Sequence, residues 1–286
     1  MHKIITCFAL LLITAVNAPG ENLTTGENLI TGQNQIKWIT SESGLETATA
    51  SPEPGKGVIH SPIFLVRYNP EHLATTVVMA SDFGNETSQV EDIKLPAAED
   101  KQPLLLINAS FFTPELTPLG LIVRSGKQLN PSHKGGNLLS GLLLQKKRSK
   151  LEVQRFNSAA LPNPLPELAI QAGPRLIVDG VASKIRAEER MSRRSGLALT
   201  DDGKAIIFIT KNGLPGISFR QLQAFLLRPE LKIRQALNFD GGSSSQLRLF
   251  GAAENGTDMV ISGGDAVPVF LAVEKILTKQ TPVKKK

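Results

Sequence analysis

A chain of 286 residues, 41% hydrophobic and 20% charged, has an ordinary globular composition and is long enough to bury a substantial core. The net charge is +6, but the basic residues are dispersed and aromatic residues make up only 5%, which argues against a nucleic-acid surface of interleaved cations and rings. One cysteine and four histidines, widely spaced, offer no zinc pattern, and no metal or other cofactor is called for.

The amino terminus reads as a secretory signal over residues 1–20. His2 and Lys3 precede the apolar run Ile4 to Val16, too short for a stable membrane anchor, and cleavage after Gly20 satisfies the small-residue rule. Removal of this segment takes Cys7 with it, so a mature protein without disulfides is expected in the periplasm or outside the cell, with no stable membrane insertion. Residues 21–57 are polar, and the richness of Ser41 to Gly57 in Ser, Thr, Glu, Pro and Gly predicts a flexible leader. Within it, Ile36 to Ile39 is a candidate first strand.

Residues 58–278 are expected to form one domain, because no linker divides them, and 279–286 form a basic tail ending in Lys284-Lys285-Lys286. Apolar runs or two-residue periodicity predict strands at Ile63–Tyr68, Thr76–Ala80, Leu104–Asn108, Leu119–Arg124, Gly141–Gln145 and Leu151–Phe156. A hairpin is expected from Gly196–Leu199 through Asp201-Asp202-Gly203 to Ala205–Ile209, since an Asp-Gly pair supplies the positive φ of a tight turn. Ser218 to Leu227 is the best helix: Ser218 and Gln221 fit a capping box, Leu222, Phe225 and Leu226 share a face, and Arg228-Pro229 ends it. Many strands and few helices, not strictly alternating, argue an α+β fold.

The chemically suggestive stretch is Ala236-Leu237-Asn238-Phe239-Asp240-Gly241-Gly242-Ser243-Ser244-Ser245. An apolar run delivers one carboxylate into a glycine turn where backbone N–H groups can approach a small anionic or sugar-like group. Asn108-Ala109-Ser110-Phe111-Phe112 has the same design after the run Leu104 to Ile107. Gly173-Pro174-Arg175 and Arg193-Arg194-Ser195-Gly196 place arginines in two further blocks. No P-loop and no Gly-x-Ser-x-Gly elbow are present.

These blocks, in this order, resemble the phosphodiester glycosidase family, from about Phe64 to Val273. The resemblance implies a single β-rich α+β domain, with a large curved mixed sheet and a few packed helices. It also implies an exported hydrolase cleaving a sugar-1-phosphodiester, with a sugar phosphate or phosphorylated glycan as its partner. A phosphate leaving group needs little protonation but does need cations and N–H donors. In that scheme Asp240 acts on the sugar side, as base for water or as acceptor from ring hydroxyls. Arg194 and Arg175 hold the phosphate. Asn108, Phe112, Gly241, Gly242, Ser243, Ser244 and Ser245 bind substrate. The second carboxylate is open among Glu115, Glu188, Glu189 and Asp265. The family usually carries glycine where Ala109, Ser110 and Ser243 stand, so a non-catalytic carbohydrate-binding or envelope-assembly protein on the same fold is the alternative.

Overall fold

Alternation decides which strands are covered on one face and which on two. In Leu73–Met79 buried residues recur at every second position, whereas Ile63–Tyr68, apart from Arg67, and Ala205–Thr210 are buried along their length because both their faces are packed. The computed structural model describes residues 35–52, 61–94, 102–147, 149–157, 163–186, 189–211, 215–252 and 256–276. The expected signal, the leader up to residue 34, Glu188 and the basic tail lie outside the described residues. Residues Ile36–Lys286 cluster as one compact unit.

Three sheets build this unit. The largest has eight strands in the order Ile39–Thr40, Glu46–Ala50, Ile63–Tyr68, Ala205–Thr210, Ser195–Thr200, Ile233–Asn238, Arg175–Val178 and Val181–Ala182. A second sheet orders Leu151–Arg155, Gly141–Gln145, Leu168–Ala172, Ile122–Arg124 and Lys127–Asn130. The third orders Met259–Ile261, Leu247–Leu249, Leu105–Asn108, Val269–Lys275 and Leu73–Met79. Phe111–Phe112 and Pro118–Leu119 form a separate two-stranded ribbon.

The central core lies among the sheets: Phe64, Val66, Leu197 and Leu237 from the first meet Leu143 and Ile170 from the second and Leu105, Ile107 and Leu271 from the third. The alternate residues Ile63, Leu65, Ile206 and Phe208 face the other way, onto a second core closed by the helix Phe219–Leu226. Ser218 caps that helix, its Oγ accepting from Gln221 N at 3.2 Å while its own N donates to Gln221 Oε1 at 3.1 Å. The helix buries Phe219, Leu222, Phe225 and Leu226, which is why it stays docked although only eight residues long.

Four expectations change. The strand pairs are antiparallel rather than mixed; the helix Phe219–Leu226 links Ala205–Thr210 to Ile233–Asn238, but those two strands flank Ser195–Thr200 and do not pair with each other. The few packed helices reduce, among the described residues, to one α-helix and short 3-10 turns. Residues inside the expected leader form a strand: Glu46–Ala50 pairs with Ile63–Tyr68, burying Ala48, and the candidate strand at Ile36–Ile39 shifts to Ile39–Thr40. Leu119–Arg124 is broken into two, since Gly120 turns at φ 106° and its carbonyl accepts from Asn130 Nδ2 at 2.8 Å.

Candidate functional site

Strand Ile233–Asn238 runs through the middle of the largest sheet, between Ser195–Thr200 and Arg175–Val178, and its end carries Phe239 and Asp240. Phe239 is fully buried and its N donates to Ser195 O at 2.9 Å, so the backbone that presents Asp240 is anchored from beneath. Asp240 O is itself doubly held, accepting from Asn108 Nδ2 at 2.7 Å and from Ser195 Oγ at 2.9 Å. Asn108 Oδ1 in turn accepts from Gln246 N at 3.1 Å. Asn108 therefore spends both ends of its amide on the turn, and acts as a positioning group rather than as a free donor to a ligand.

After Asp240 the chain turns through Gly241 and Gly242. A Cβ on Gly241 would stand 2.9 Å from Arg193 O, and Gly242 has φ 63° while its N donates to Arg193 O at 2.9 Å. Ser244 and Ser245 close a single 3-10 turn and are buried; Ser243 is exposed. Burial pushes the Asp240 carboxyl up to about 6, against hydrogen bonds from Ser244 and from Gly241 N, and with a further upward push from the charge of Asp265. Ser243 Oγ donates to Asp265 Oδ2, and Ser243 O accepts from Gly264 N at 2.6 Å and from Asp265 N at 3.2 Å. Of the candidate acids among the described residues, Glu115, Glu189 and Asp265, Asp265 is the one the fold brings to Asp240. Glu189 pairs with Arg220 and Glu115 is exposed.

Arg194 and Arg175 part company. Arg194 is 8% exposed, lies 3.7 Å over the Phe219 ring, and donates from Nε to Ile217 O at 3.3 Å and from Nη2 to Arg190 O at 2.8 Å. Burial, with help from Arg190, pulls its pKa down to about 10. This guanidinium still borders the turn, since a Cβ on Gly241 would lie 3.8 Å from its Nη1. Arg175, opposite Leu237 in the sheet, instead lines a cavity of about 440 Å³, and the charges that act on it are those of Arg155 and Asp179. Phe112 packs beside the satellite core of Val90, Ile93, Leu106 and Phe270.

Sequence reasoning passed over Arg193. Its Nε and Nη2 are buried with no hydrogen-bond partner, and Asn238 Oδ1 and Ser245 Oγ, at either end of the Asp240 turn, are orphaned in the same way. Unsatisfied buried polar atoms are uncommon in native proteins, and their gathering around one turn marks it as a place where stability has been conceded. Two successive arginines give no sequence signal for which one is satisfied. Among the described residues no group of three or more His, Cys, Asp or Glu side chains is placed to hold a metal ion.

With this geometry in view, the chain can be set beside known proteins. No curated protein matches it in sequence. A solved structure of the zebrafish N-acetylglucosamine-1-phosphodiester alpha-N-acetylglucosaminidase catalytic domain, auto-inhibited by its pro-peptide, superposes with a TM-score of 0.59 at 17% identity, covering 85% of this chain and 82% of that one. A hypothetical protein from Synechocystis gives 0.56 at 18% identity, over 84% and 63% of the two chains. A putative exported protein from Burkholderia pseudomallei gives 0.51 at 12%, over 75% and 74%. At these identities the likeness is one of fold. The sequence profile of the phosphodiester glycosidase family matches residues 102–274, more than half of the chain, and takes in the Asn108, Gly173-Pro174, Arg194 and Asp240 blocks. The chain belongs to the phosphodiester glycosidase family.

Proposed function

We propose that this protein is an exported hydrolase that cleaves the bond between the anomeric carbon of a sugar and a phosphodiester oxygen, with Asp240 at the centre of the reaction. The observation that carries the reading is the Asp240 carboxyl itself: half-buried at a strand end, raised to about 6, and coupled to a second carboxylate at Asp265. A carboxyl tuned near neutrality is suited to proton transfer at working pH.

In the reaction a water oxygen forms the new bond to the anomeric carbon as the carbon–oxygen bond to phosphorus breaks. Asp240 takes a proton from the water, and the phosphate departs as a monoester with the electron pair of the broken bond. The departing oxygens need no proton; they need donors and positive charge, which the neighbouring Arg193, whose Nε and Nη2 have no partner, and Arg194 are suited to supply. The negative charge of Asp265 favours the cationic sugar in the transition state and holds Ser243 in place. Ser243 stands where relatives usually carry glycine, and its hydroxyl is spent on Asp265. That replacement adds a brace for the second carboxylate, which favours a catalytic site over a bare carbohydrate-binding cleft. The substrate class we propose is an N-acetylglucosamine-1-phosphodiester, after the name of the zebrafish enzyme, or a related sugar phosphodiester.

The test is release of free sugar from a panel of sugar-1-phosphodiesters, UDP-N-acetylglucosamine among them, by the parent and by Asp240→Asn. A fall of at least about 100-fold in the variant is expected, within the range that general-base groups contribute. In the parent, kcat/KM should rise with pH through about 6 as Asp240 becomes ionised. Equal turnover by the variant removes Asp240 from the mechanism, and binding without turnover by the parent favours the carbohydrate-binding alternative.

A further inference from the structure

The cavity that holds Arg175 is lined by four cations, Arg155, Arg175, Lys184 and Arg186, together with Ser140 and Ser183, and among the described residues no carboxylate lines it. The backbone brings these like charges together. Arg155 stands opposite Gly141 in the second sheet, and a Cβ on Gly141 would lie 2.9 Å from Arg175 Cγ, so the bare glycine is what lets the Arg175 stem cross toward Arg155. Ser140 is packed against the next turn, its N and Oγ each 3.1 Å from where a Cβ on Gly173 would be. The far wall is braced from the helix: Gln223 Nε2 donates to Leu176 O and to Ser183 O, both at 2.8 Å. The backbone of the concavity is built, and Arg155, Lys184 and Arg186 line it as exposed side chains beside the half-buried Arg175.

Gathering four cations costs free energy unless an anion joins them; at Arg175 burial and the charge of Arg155 lower the pKa, and Asp179 acts against them. The hydroxyl of Ser183 suits phosphate oxygens, which accept hydrogen bonds as well as charge. A single phosphodiester carries one negative charge, which four cations exceed; two adjacent phosphate groups match them better. The cavity also has a set place relative to the proposed reaction. Arg175 is paired with Leu237, Asn238 N donates to Pro174 O at 3.1 Å, and Asp240 follows two residues later at the same end of the sheet.

We infer that the Arg155–Arg175–Lys184–Arg186 cavity is an anion subsite that holds two adjacent phosphate groups, on the leaving-group side of the bond cleaved beside Asp240. The placement on the leaving-group side rests on the function proposed above; the binding of phosphate does not.

The test is calorimetric titration of the full chain at about 0.1 M salt with three probes: orthophosphate, inorganic pyrophosphate and a short glycerol-phosphate oligomer. Pyrophosphate represents a diphosphate linkage and the oligomer represents consecutive phosphodiesters. At least one of the two is expected to bind ten-fold or more tightly than orthophosphate, and the tighter of them identifies the linkage. The double variant Arg155→Ser, Lys184→Ser alters two exposed side chains and should keep the parent melting temperature while losing ten-fold or more in affinity. Asp240→Asn should bind as the parent does. Unchanged affinity in the double variant, or probes that bind no better than orthophosphate, would overturn the subsite. Binding that obeys these expectations in a protein with no turnover leaves the subsite standing and removes only its assignment to a leaving group.

Discussion

At the scale of single residues, burial of Asp240 gives stability a pH dependence that can be measured. Its carboxyl titrates at about 6 in the folded chain against 3.8 for the free group, so the folded state holds the proton more tightly than the unfolded one. Stability from this residue is fully present below the unfolded value and is lost as pH rises through about 6. Replacement by asparagine keeps the shape and removes the buried charge. The Asp240→Asn variant should melt with the parent near pH 4 and above it at neutral pH, by up to about 3 kcal/mol at roughly 1.4 kcal/mol per pKa unit. Thermal melts across that range check this, and a gap that does not open with pH would mean the carboxyl is solvated. The orphaned nitrogens of Arg193 concede stability at the same turn for a similar reason.

At the scale of elements, Gln171 ties the second sheet to the loops around it. Its Oε1 accepts from Leu121 N and His133 N, each at 3.0 Å, and its Nε2 donates to His133 O at 3.0 Å and to Leu139 O at 3.1 Å. Gln171→Leu leaves four backbone groups seeking partners, two of them wholly within the core, and should cost about 2–4 kcal/mol by chemical denaturation. A loss under about 1 kcal/mol would show that water takes over these bonds. Elements of this kind mark the boundary of what the chain discloses when read as letters. Ile63–Tyr68, Gly141–Gln145 and the Ser218 cap are local patterns and are found at their expected places. The pairing of Leu105–Asn108 with Leu247–Leu249 and Val269–Lys275 joins residues far apart in the chain, which no local period encodes. The site divides along the same line. Asp240 and its glycines are contiguous and legible, whereas Asp265 comes to them only because Ser243 and Gly264 are clasped by the fold. The sequence points to Arg194 over Arg193; the stacking of Arg194 on Phe219 is tertiary.

At the scale of the molecule, the sheet is longer at its start than composition suggested, and an ion pair, with Lys204 Nζ 3.6 Å from the same carboxylate, adds to the ladder that holds its first long strand. Arg67 Nε and Nη2 donate to Glu46 Oε2 at 2.8 Å and Oε1 at 2.6 Å, while the guanidinium lies 4.0 Å over the Trp38 ring. Arg67 holds the Glu46 carboxyl below its usual 4.5, chiefly through that hydrogen bond, against the opposing effect of burial. The pair therefore stabilises the fold above about pH 4.5, and that contribution fades as pH falls through the lowered value. Arg67→Ala should cost about 1–2 kcal/mol at neutral pH and less in acid, with hydrogen exchange rising first in Glu46–Ala50. Uniform exchange across the sheet would mean these strands melt only with the whole. Among the described residues no helix is long and apolar enough to cross a membrane.

Strand Ile233–Asn238 lies between two hydrogen-bonded neighbours, with Asp240 just beyond its end and Arg175 paired alongside it. Loops can drift, but a central strand cannot slide against its partners without breaking the ladders on both sides. The span from the carboxylate to the cationic cavity is therefore a fixed gauge. On the proposed function, a ligand whose sugar sits at Asp240 and whose phosphates fall short of the cavity, or overshoot it, would find no compensating motion, so the site would select for length as well as for charge.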